Sequence, residues 1–305
     1  MSGKVLITGA GGFLGRAIGD RLGDAGWEVW TLSRAPASDA ERRIHWDPGV
    51  GELDASTVDG FDAVVHLAGE SLVGVWTSGK KQAIVKSRSV GTLLLAEALA
   101  VVGHKPGVLV TASAIGYYGS RGDEMLSEDS GNGDGFLAEV CEIWESAARP
   151  ALDAGIRVVN LRIGLVLGRR GGMMRRLLPA FRLGLGGKLG GGRQWWSWVT
   201  IDDVVGATLF AVENEALDGP VNVVAPNPVT NAEFTKTLGG TMHRPTVFAV
   251  PGFALKAVAR EAADEMLLAS QRVSGEKLAQ AGYDFRHKEL SAALDDILHD
   301  NGRRG

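Results

Sequence analysis

The sequence predicts an α/β protein in which helices cover both faces of a parallel β-sheet. Short apolar runs alternate with longer segments of helical periodicity through about residue 165, and strands that are buried on both faces have unbroken apolar runs. The chain also opens with a strand, a glycine-rich turn and a helix, in that order. Its 305 residues suffice for one large domain or two modest ones.

The predicted elements follow one another regularly. The apolar runs predict seven strands, at residues 4–7, 27–32, 43–46, 62–67, 108–111, 157–161 and 220–224. Apolar residues at helical spacing predict helices at residues 13–26, 80–102, 134–154 and 201–212, and a mostly helical region from residue 251 to the end, with a turn at 282–286. A parallel sheet with helices on both faces is a Rossmann-type, doubly wound fold.

The alternation of strands and helices stops near residue 165, and a glycine-rich segment follows at residues 184–192. We therefore expect a first domain over residues 1–165, which the chain rejoins at about residues 200–225. Residues 166–199 and 226–305 would form a smaller, mostly helical lobe.

Composition and charge exclude several classes of protein. Hydrophobic residues make up 45% of the chain and charged residues 22%, which is typical of a globular protein and not of a disordered one. The net charge of -4 gives no attraction for nucleic acid or an anionic membrane, so neither is expected as a partner. One cysteine excludes an internal disulfide, and we find no signal peptide and no apolar run of about 20 residues. We expect a cytoplasmic protein.

A glycine motif follows the first predicted strand. Gly9, Gly12 and Gly15 have the spacing G-x-x-G-x-x-G and lie at the start of a predicted helix. In dinucleotide-binding folds such glycines permit a tight turn, let the backbone approach a pyrophosphate and allow close packing, while the helix N-terminus attracts the anion. The motif therefore predicts a dinucleotide site at this turn.

The end of the second predicted strand indicates which dinucleotide binds. A carboxylate at this point holds a ribose 2′-hydroxyl, whereas a cation accommodates a 2′-phosphate. The chain has Ser33 and Arg34 here, and no Asp or Glu. NADP(H) is therefore favoured over NAD as the cofactor.

Four motifs in order carry a resemblance to a known family: TGAGGFLG at residues 8–15, HLAG at 66–69, SAIGYYG at 113–119 and WVTIDDV at 198–204. Together they resemble an extended short-chain dehydrogenase/reductase. The segments HLAGESLVGVWTSGKK, GDGFLAEVCEIWE and PVTNAEF more narrowly resemble the atypical "epimerase family protein" branch, described as NADP-dependent oxidoreductases. The resemblance covers essentially the whole chain, including a C-terminal extension of no assigned function at about residues 251–298.

The resemblance implies a set of cofactor-binding residues. The pyrophosphate would be lined by Gly9, Gly12, Phe13, Leu14 and Gly15, the 2′-phosphate by Ser33 and Arg34, and the far ribose side by Leu67, Ala68, Gly69 and Glu70. Typical members have an asparagine three residues before the glycine of a Gly-Thr pair on the central helix. This chain has Arg88 at that position, which adds a cation near the cofactor cleft.

The chain departs from the family pattern at the active site. Typical members use Ser, Tyr and Lys, with the last two in a Tyr-x-x-x-Lys signature, and the lysine lowers the pKa of the tyrosine that exchanges a proton during hydride transfer. Counting back from Glu145 places Leu137 and Cys141 in these two roles, and a register shifted by one places Phe136 and Val140 there. No Tyr-x-x-x-Lys occurs anywhere in the chain.

Other residues are therefore predicted to act on the substrate. Tyr117 or Tyr118, after the fifth strand, is the predicted proton donor, and Ser113 is predicted to hydrogen-bond the substrate oxygen. The tryptophans that follow the glycine-rich segment predict a small-molecule pocket that includes Arg193 and Trp196. The six histidines show no paired ligand spacing, so no metal site is predicted.

Three functions remain open at this stage. The favoured one is an NADP(H)-dependent oxidoreductase that acts on an unknown small carbonyl or alcohol compound. The second is a nucleotide-sugar epimerase or dehydratase. The missing Tyr-x-x-x-Lys pair counts against this function at least as strongly as against the first, because such an enzyme also needs a tyrosinate-type base. The third is a non-catalytic NADP(H)-binding sensor.

Overall fold

The centre of the protein is a seven-stranded parallel β-sheet. The computed structural model describes residues 3–169 and 171–299. The strands are β1 (Lys4–Thr8), β2 (Glu28–Ser33), β3 (Arg43–His45), β4 (Ala63–His66), β5 (Val108–Ala114), β6 (Met125–Leu126), β7 (Arg157–Ile163), β8 (Leu165–Gly168), β9 (Gly171–Gly172), β10 (Gly187–Leu189), β11 (Trp195–Trp196), β12 (Trp198–Thr200), β13 (Gly219–Val223), β14 (Val229–Thr230), β15 (Phe248–Val250) and β16 (Arg272–Val273). The central sheet has the order β13-β7-β5-β4-β1-β2-β3, and the other strands form smaller sheets.

Helices connect these strands and cover the sheet. They are α1 (Phe13–Asp24), α2 (Ser78–Val101), α3 (Phe136–Ser146), α4 (Arg149–Asp153), α5 (Met174–Arg182), α6 (Ile201–Glu213), α7 (Asn231–Thr241), α8 (Gly252–Ala259), α9 (Glu261–Ala263), α10 (Glu276–Gln280) and α11 (Leu290–His299). Single turns of 3₁₀-helix lie at Ala55–Val58 and Ile115–Tyr118, and a π-helical turn lies at Asp264–Leu268. Within the described ranges, no helix has the length and apolar character needed to cross a membrane.

The strand order reverses next to β1. From β1 the chain moves outward to β2 and β3, and then returns to the other side of β1 to form β4, β5, β7 and β13. The registers pair Thr8 with His66 and His66 with Thr111, so the carboxyl ends of three strands lie side by side. In a doubly wound sheet, ligands bind at this point of reversal, outside the carboxyl ends of the strands.

Apolar residues on the two faces of the sheet belong to different cores. Val5 of β1 packs in the core that contains Ile18 of α1, whereas Leu6 of the same strand packs in the core that contains Leu99 of α2. Successive residues of a strand point to opposite faces, so helices cover both sides of the sheet. The α/β fold class predicted from the sequence is therefore confirmed.

A third core lies beyond the sheet. It brings together Trp196 and Trp198, Phe234 of α7 and Leu294 of α11. The ring of Trp196 meets that of Phe234 edge-on, with 5.2 Å between the ring centroids. Parts of the chain that are far apart in sequence thus share one apolar interior, which supports the far end of the cleft described below.

The structure differs from the sequence prediction in two helical regions. The predicted helix at 134–154 is divided into α3 and α4, and Pro150 lies in the first turn of α4. Proline lacks a backbone N–H and is tolerated in the first turn of a helix but not in its interior, so Pro150 begins a new helix. The C-terminal region is interrupted by β16, which pairs in parallel with the distant β6.

Candidate functional site

A cleft of about 530 Å³ opens at the carboxyl ends of β1, β4, β5 and β7. One side is formed by the glycine turn after β1, and the opposite side by α3. The C-terminal region contributes Glu265, Met266, Ala269 and Gln271. The cleft therefore lies where the strand order reverses, and elements from both ends of the chain form it.

Most of the predicted cofactor-binding residues line this cleft. They are Gly9, Gly12, Phe13, Leu14, Gly15, Leu67, Gly69, Glu70 and Arg88. Ser33, Arg34 and Ala68 are not part of its lining. Arg34 is exposed just after β2. The pKa of Glu70 is lowered mainly by the hydrogen bond from Lys80, and to a smaller extent by the charges of Lys80, Arg88 and Arg34.

The turn after β1 is a cradle made of backbone. Gly9 has a φ of 69°, in the left-handed region that favours glycine, and a Cβ on it would lie 2.9 Å from the carbonyl carbon of Leu67. A Cβ on Gly15 would collide with the carbonyl oxygen of Gly9. Gly12 is the N-cap of α1 and no side chain caps this helix, so its first N–H groups are left for a ligand. These features fit the pyrophosphate of a dinucleotide.

A chain of buried hydrogen bonds fixes the floor of the cleft. The Thr8 hydroxyl accepts hydrogen bonds from the backbone N–H groups of Leu67 and Ala68, at 3.0 and 3.1 Å. Its own proton is therefore donated to Nδ1 of His66, at 2.8 Å. Nε2 of His66 then carries the single ring proton of the neutral imidazole and donates it to the Thr92 hydroxyl, at 2.9 Å.

These hydrogen bonds are those of a neutral imidazole at His66. Burial, and to a lesser extent the charge of Arg88, lower the pKa of His66 to about 4. A structural role for His66 beside the cofactor site agrees with its place in the sequence motif. Sequence reasoning missed the two threonines, although each lies directly next to a motif glycine.

Arg88 lies beneath the loop that follows β4. Its Nη1 donates hydrogen bonds to the backbone carbonyls of Glu70 and Ile84, at 3.0 and 3.3 Å. Its guanidinium carbon lies 4.7 Å from the ring centroid of Trp144. A Cβ on Gly69 would lie only 3.2 Å from the same carbon, so a glycine is needed for the loop to pass this close to the guanidinium.

α3 carries the positions at which typical family members have the Tyr-x-x-x-Lys pair. Leu137 and Cys141 lie one helical turn apart and both line the cleft, as does Val140. Phe136 is absent from the lining and packs on Trp76, with 5.2 Å between the ring centroids. Burial, followed by the charge of Glu145, raises the pKa of the Cys141 thiol to about 11, so the thiol keeps its proton at neutral pH.

Ser113 lines the cleft, but its proton is already engaged. Its Oγ donates to Oε1 of Glu145 at 2.7 Å. Glu145 is held in turn by two hydrogen bonds from Arg162, at 2.9 and 2.8 Å, and both of these side chains are largely buried. In this arrangement the proton of Ser113 is directed to Glu145, and the lone pairs of its Oγ can accept hydrogen bonds.

The two tyrosines expected to act as proton donors are absent from the cleft lining. The hydroxyl of Tyr118 is fully buried, donates to Oδ1 of Asn222 at 2.7 Å and accepts from Arg162 at 3.1 Å. Burial raises the pKa of Tyr118 above its ordinary value, although the charge of Arg162 and these hydrogen bonds oppose the rise. The ring of Tyr117 lies 3.5 Å from the guanidinium carbon of Arg162. Both tyrosines therefore contact Arg162, and their predicted role as proton donors stays a prediction.

The far end of the cleft is mostly apolar. Trp195 and Trp196 line it, together with the side chain of Gln271, whose Nε2 donates to the backbone carbonyl of Ile115 at 3.1 Å. Arg193, predicted beside Trp196 in the substrate pocket, is exposed and is not part of the lining. The structure thus brings the predicted tryptophan to the cleft but not the predicted arginine.

Glu265 reaches the cleft from the π-helical turn. Its carboxylate accepts hydrogen bonds from the backbone N–H groups of Phe136 and Leu137, at 2.9 and 2.6 Å. It therefore caps α3, whose N-cap residue Gly135 offers no side chain. Sequence reasoning missed Glu265, because no local signal connects it to a helix that begins about 130 residues earlier.

Side chains that bind metals are not grouped in the described part of the chain. Within residues 3–169 and 171–299, no cluster of three or more His, Cys, Asp or Glu side chains has the arrangement of a metal site.

Comparison with known proteins agrees with this fold over nearly the whole chain. Epimerase family protein Mb2239 of Mycobacterium bovis is 42% identical over 292 residues, which are 95% of this chain and 96% of that protein. The crystal structure of human epimerase family protein SDR39U1 (isoform 2) with NADPH has a TM-score of 0.90 at 35% identity, and covers 98% of this chain and 100% of that chain. A nucleoside-diphosphate sugar epimerase from Corynebacterium glutamicum has a TM-score of 0.81 at 38% identity, and this chain spans 58% of it.

The parallel sheet and the glycine cradle define a dinucleotide-binding α/β protein of the Rossmann type. Residues 5–225 match the NAD dependent epimerase/dehydratase family, and residues 250–297 match a domain of unknown function, DUF1731. The chain belongs to the NAD dependent epimerase/dehydratase family, within the extended short-chain dehydrogenases/reductases that its motifs resemble. Glu265 and Gln271, at the far end of the cleft, lie in the second of these matched regions.

Proposed function

We propose that the chain binds NADP(H) in this cleft. Gly9, Gly12 and Gly15 would hold the pyrophosphate, and Ser33 and Arg34 the 2′-phosphate. The observation that carries the proposal is the backbone cradle at the uncapped N-terminus of α1, which a Cβ at Gly9 or Gly15 would fill. The human relative crystallised with NADPH supports the same choice of cofactor.

We propose further that the protein reduces the carbonyl group of a small, uncharged compound. NADPH supplies the hydride when it is bound, so the chain must provide a pocket and a proton. The rings of Trp195 and Trp196 and the amide of Gln271 suit a compact, largely apolar molecule.

The charges in the cleft disfavour a nucleotide sugar as substrate. A nucleoside diphosphate is usually bound by several cations or by a free helix N-terminus. Arg88 is the one cation among the cleft-lining residues that the structure describes, and the carboxylate of Glu265 occupies the N-terminus of α3. A diphosphate at the far end of the cleft would therefore meet a negative charge.

We assign the proton to the Sγ atom of Cys141. The thiol lines the cleft beside Ser113 and is protonated at neutral pH because its pKa is about 11. When the proton passes to the carbonyl oxygen of the substrate, a thiolate remains, and water returns a proton to it. The charge of Arg88 lowers the energy of that thiolate.

Turnover of NADPH tests this proposal. Purified protein would be mixed with NADPH and a panel of small aldehydes and ketones, and NADPH absorbance would be followed. We expect oxidation with apolar carbonyl compounds, and slower oxidation of NADH. UDP-sugars would be included in the panel, and their epimerisation would favour the nucleotide-sugar alternative.

A non-catalytic NADP(H)-binding protein is the second candidate. It is favoured by one observation, namely that neither Tyr117 nor Tyr118 lines the cleft and no Tyr-x-x-x-Lys exists. Measurements of NADPH binding and of carbonyl turnover distinguish the two candidate functions. Tight binding of NADPH with no turnover of any carbonyl compound would replace the reductase proposal with this one.

A further inference from the structure

Arg88 is a buried cation without a carboxylate partner among residues 3–169 and 171–299. The residue is 8% exposed, and none of the ion pairs found in these ranges includes it. The nearby carboxylate of Glu70 instead binds Lys80, at 2.5 Å. Burying an uncompensated charge is costly, so Arg88 is expected to discriminate strongly between ligand groups of different charge in the cleft.

The surroundings of Arg88 hold it in place without neutralising it. Both hydrogen bonds found for its side chain in the described ranges come from Nη1 and go to uncharged backbone carbonyls. The face of Trp144 provides a cation–π contact, which offsets only part of the cost of burial. Nε and Nη2 therefore remain for a ligand in the cleft.

The negative charges of the cleft are placed elsewhere. Cys141, one helical turn from Trp144, is an uncharged thiol. Glu265 binds the N-terminus of α3 at Leu137, which lies roughly 10 Å along the helix from Trp144. Glu70, which also lines the cleft, has its carboxylate bound to Lys80, so no carboxylate of the described lining forms an ion pair with Arg88.

The sheet order indicates which part of a dinucleotide would meet this charge. The cradle follows β1, and Arg34 follows β2 on one side of it. Arg88, Trp144 and Cys141 line the cleft on the other side, toward β4 and β5. With the 2′-phosphate near Arg34, the nicotinamide half of the cofactor would extend to the side of Arg88.

We propose that Arg88 makes the cleft selective for the reduced cofactor, so that NADPH binds more tightly than NADP⁺. This inference rests on the proposed binding of NADP(H). The nicotinamide ring is positive in NADP⁺ and uncharged in NADPH, so an unpaired guanidinium repels only the oxidised form. For two like charges close together in a partly buried protein site, such repulsion corresponds to a difference in affinity of about ten- to a hundredfold.

This selectivity would set the direction in which the protein works. The form that enters the cleft is NADPH, and NADP⁺ is released readily because the fixed charge disfavours it. Such a preference suits reduction of a substrate, and it does not depend on which residue donates the proton.

Equilibrium binding tests the inference without any substrate. Dissociation constants would be measured for NADPH by its fluorescence and for NADP⁺ by competition, with the wild-type protein, Arg88→Met and Arg88→Lys. We expect the wild-type protein to bind NADPH about ten- to a hundredfold more tightly than NADP⁺. Arg88→Met should bind the two forms with equal affinity, and Arg88→Lys should again prefer NADPH. Lys86→Met, which removes an exposed cation of α2 that neither lines the cleft nor binds a cleft residue, is the matched control and should keep the wild-type ratio.

A cofactor fragment separates this role from simple phosphate binding. 2′-Phospho-ADP-ribose lacks the nicotinamide, so Arg88→Met should change its dissociation constant less than about twofold. An equal loss for the fragment and for NADPH would assign Arg88 to the diphosphate and overturn the inference.

Measurements on the wild-type protein alone decide the question if Arg88→Met does not fold. Equal affinity for NADPH and NADP⁺ overturns the inference and leaves the proposed cofactor intact. Failure to bind either nucleotide overturns the proposed function itself, and the inference with it.

Discussion

The hydroxyl of Tyr118 donates a 2.7 Å hydrogen bond to Oδ1 of Asn222 in β13, the outermost strand of the central sheet beside β7. The Nδ2 of Asn222 donates to the backbone carbonyl of Ser274 at 3.0 Å, and its backbone N–H donates to Glu128 at 2.8 Å. The tyrosine hydroxyl thus joins the segment after β5 to the edge of the sheet. This contact explains why a tyrosine near the carboxyl edge does not line the cleft.

Tyr118→Phe should affect stability and not catalysis. The change leaves Oδ1 of Asn222 without its buried donor, so the free energy of unfolding should fall by about 1–3 kcal/mol. The affinity for NADPH and the turnover number should be unchanged. Urea unfolding and NADPH oxidation would measure the two effects.

Tyr117→Phe is the matched control, because no hydrogen bond of its hydroxyl is found within the described ranges and only its ring contacts Arg162. It should change neither stability nor turnover. A loss of turnover of more than about a hundredfold in either variant, with stability unchanged, would restore the tyrosines as proton donors.

Gly15→Ala should abolish cofactor binding. The added Cβ meets the carbonyl oxygen of Gly9, so the cradle must open. Gly11→Ala is the control, because a Cβ there meets nothing within 4 Å. Titration of NADPH fluorescence should show no saturation for Gly15→Ala and wild-type affinity for Gly11→Ala, while circular dichroism checks that both variants fold. Equal affinities of the two variants would show that the cradle does not hold the cofactor.

Acid should destabilise the protein through His66. Its pKa is about 4 in the fold, against an ordinary value of 6.5. As the pH falls, the unfolded chain therefore binds a proton at His66 before the folded chain does. The neutral imidazole contributes fully to the free energy of unfolding above pH 6.5, and this contribution is lost progressively toward pH 4. The difference between the two pKa values corresponds to about 3 kcal/mol in the free energy of unfolding.

Urea unfolding at several pH values would measure this loss. His66→Gln removes the titrating group, so its unfolding free energy should depend less on pH over the same window. His104→Gln, at an exposed position, should keep the wild-type pH dependence. The assignment to His66 fails if the His66→Gln and wild-type curves stay parallel.

Glu265→Ala should weaken α3 and the far end of the cleft. It removes the carboxylate from two backbone N–H groups, so we expect a loss of about 1–2 kcal/mol, as for other helix caps. Glu261→Ala removes a nearby exposed ion pair with Lys81 and should cost less than about 1 kcal/mol. Thermal unfolding of the two variants would compare them, and equal losses would contradict the capping role.

Cys141→Ala should slow the reaction without weakening cofactor binding. Removal of the proton donor should lower the turnover number by about a hundred- to ten-thousandfold. Val140→Ala, at a neighbouring position in the cleft lining, should keep turnover within a few-fold of the wild type. If Cys141→Ala retains full turnover, the proton comes from another group or from water.

Local patterns in the sequence predicted much of this fold. The strands and the glycine turn were predictable because an apolar run or a G-x-x-G-x-x-G spacing indicates its structure from neighbouring residues alone. The division of residues 134–154 into two helices could also have been read from Pro150, since proline marks a helix start. The residues on the cofactor side of the cleft could therefore be predicted from local sequence patterns.

The substrate side of the cleft depends on contacts between distant parts of the chain. The direction of the Tyr118 side chain is set by Asn222, which lies 104 residues later. The capping of α3 is set by Glu265, 128 residues after Leu137. A single sequence contains no pairing signal for such contacts, so it predicts the sheet edge at which the tyrosines lie but not the direction of their side chains.

The hydrogen bond between Glu265 and Leu137 also has a consequence for the order in which the protein is made. A ribosome releases the glycine turn and the first strands early, whereas Glu265 emerges only after more than 260 residues have been joined. Domains form from the N-terminus during synthesis, so the nucleotide cradle can assemble on the nascent chain while α3 still lacks its cap. Completion of α3 thus waits for the C-terminal region, whereas the glycine turn does not.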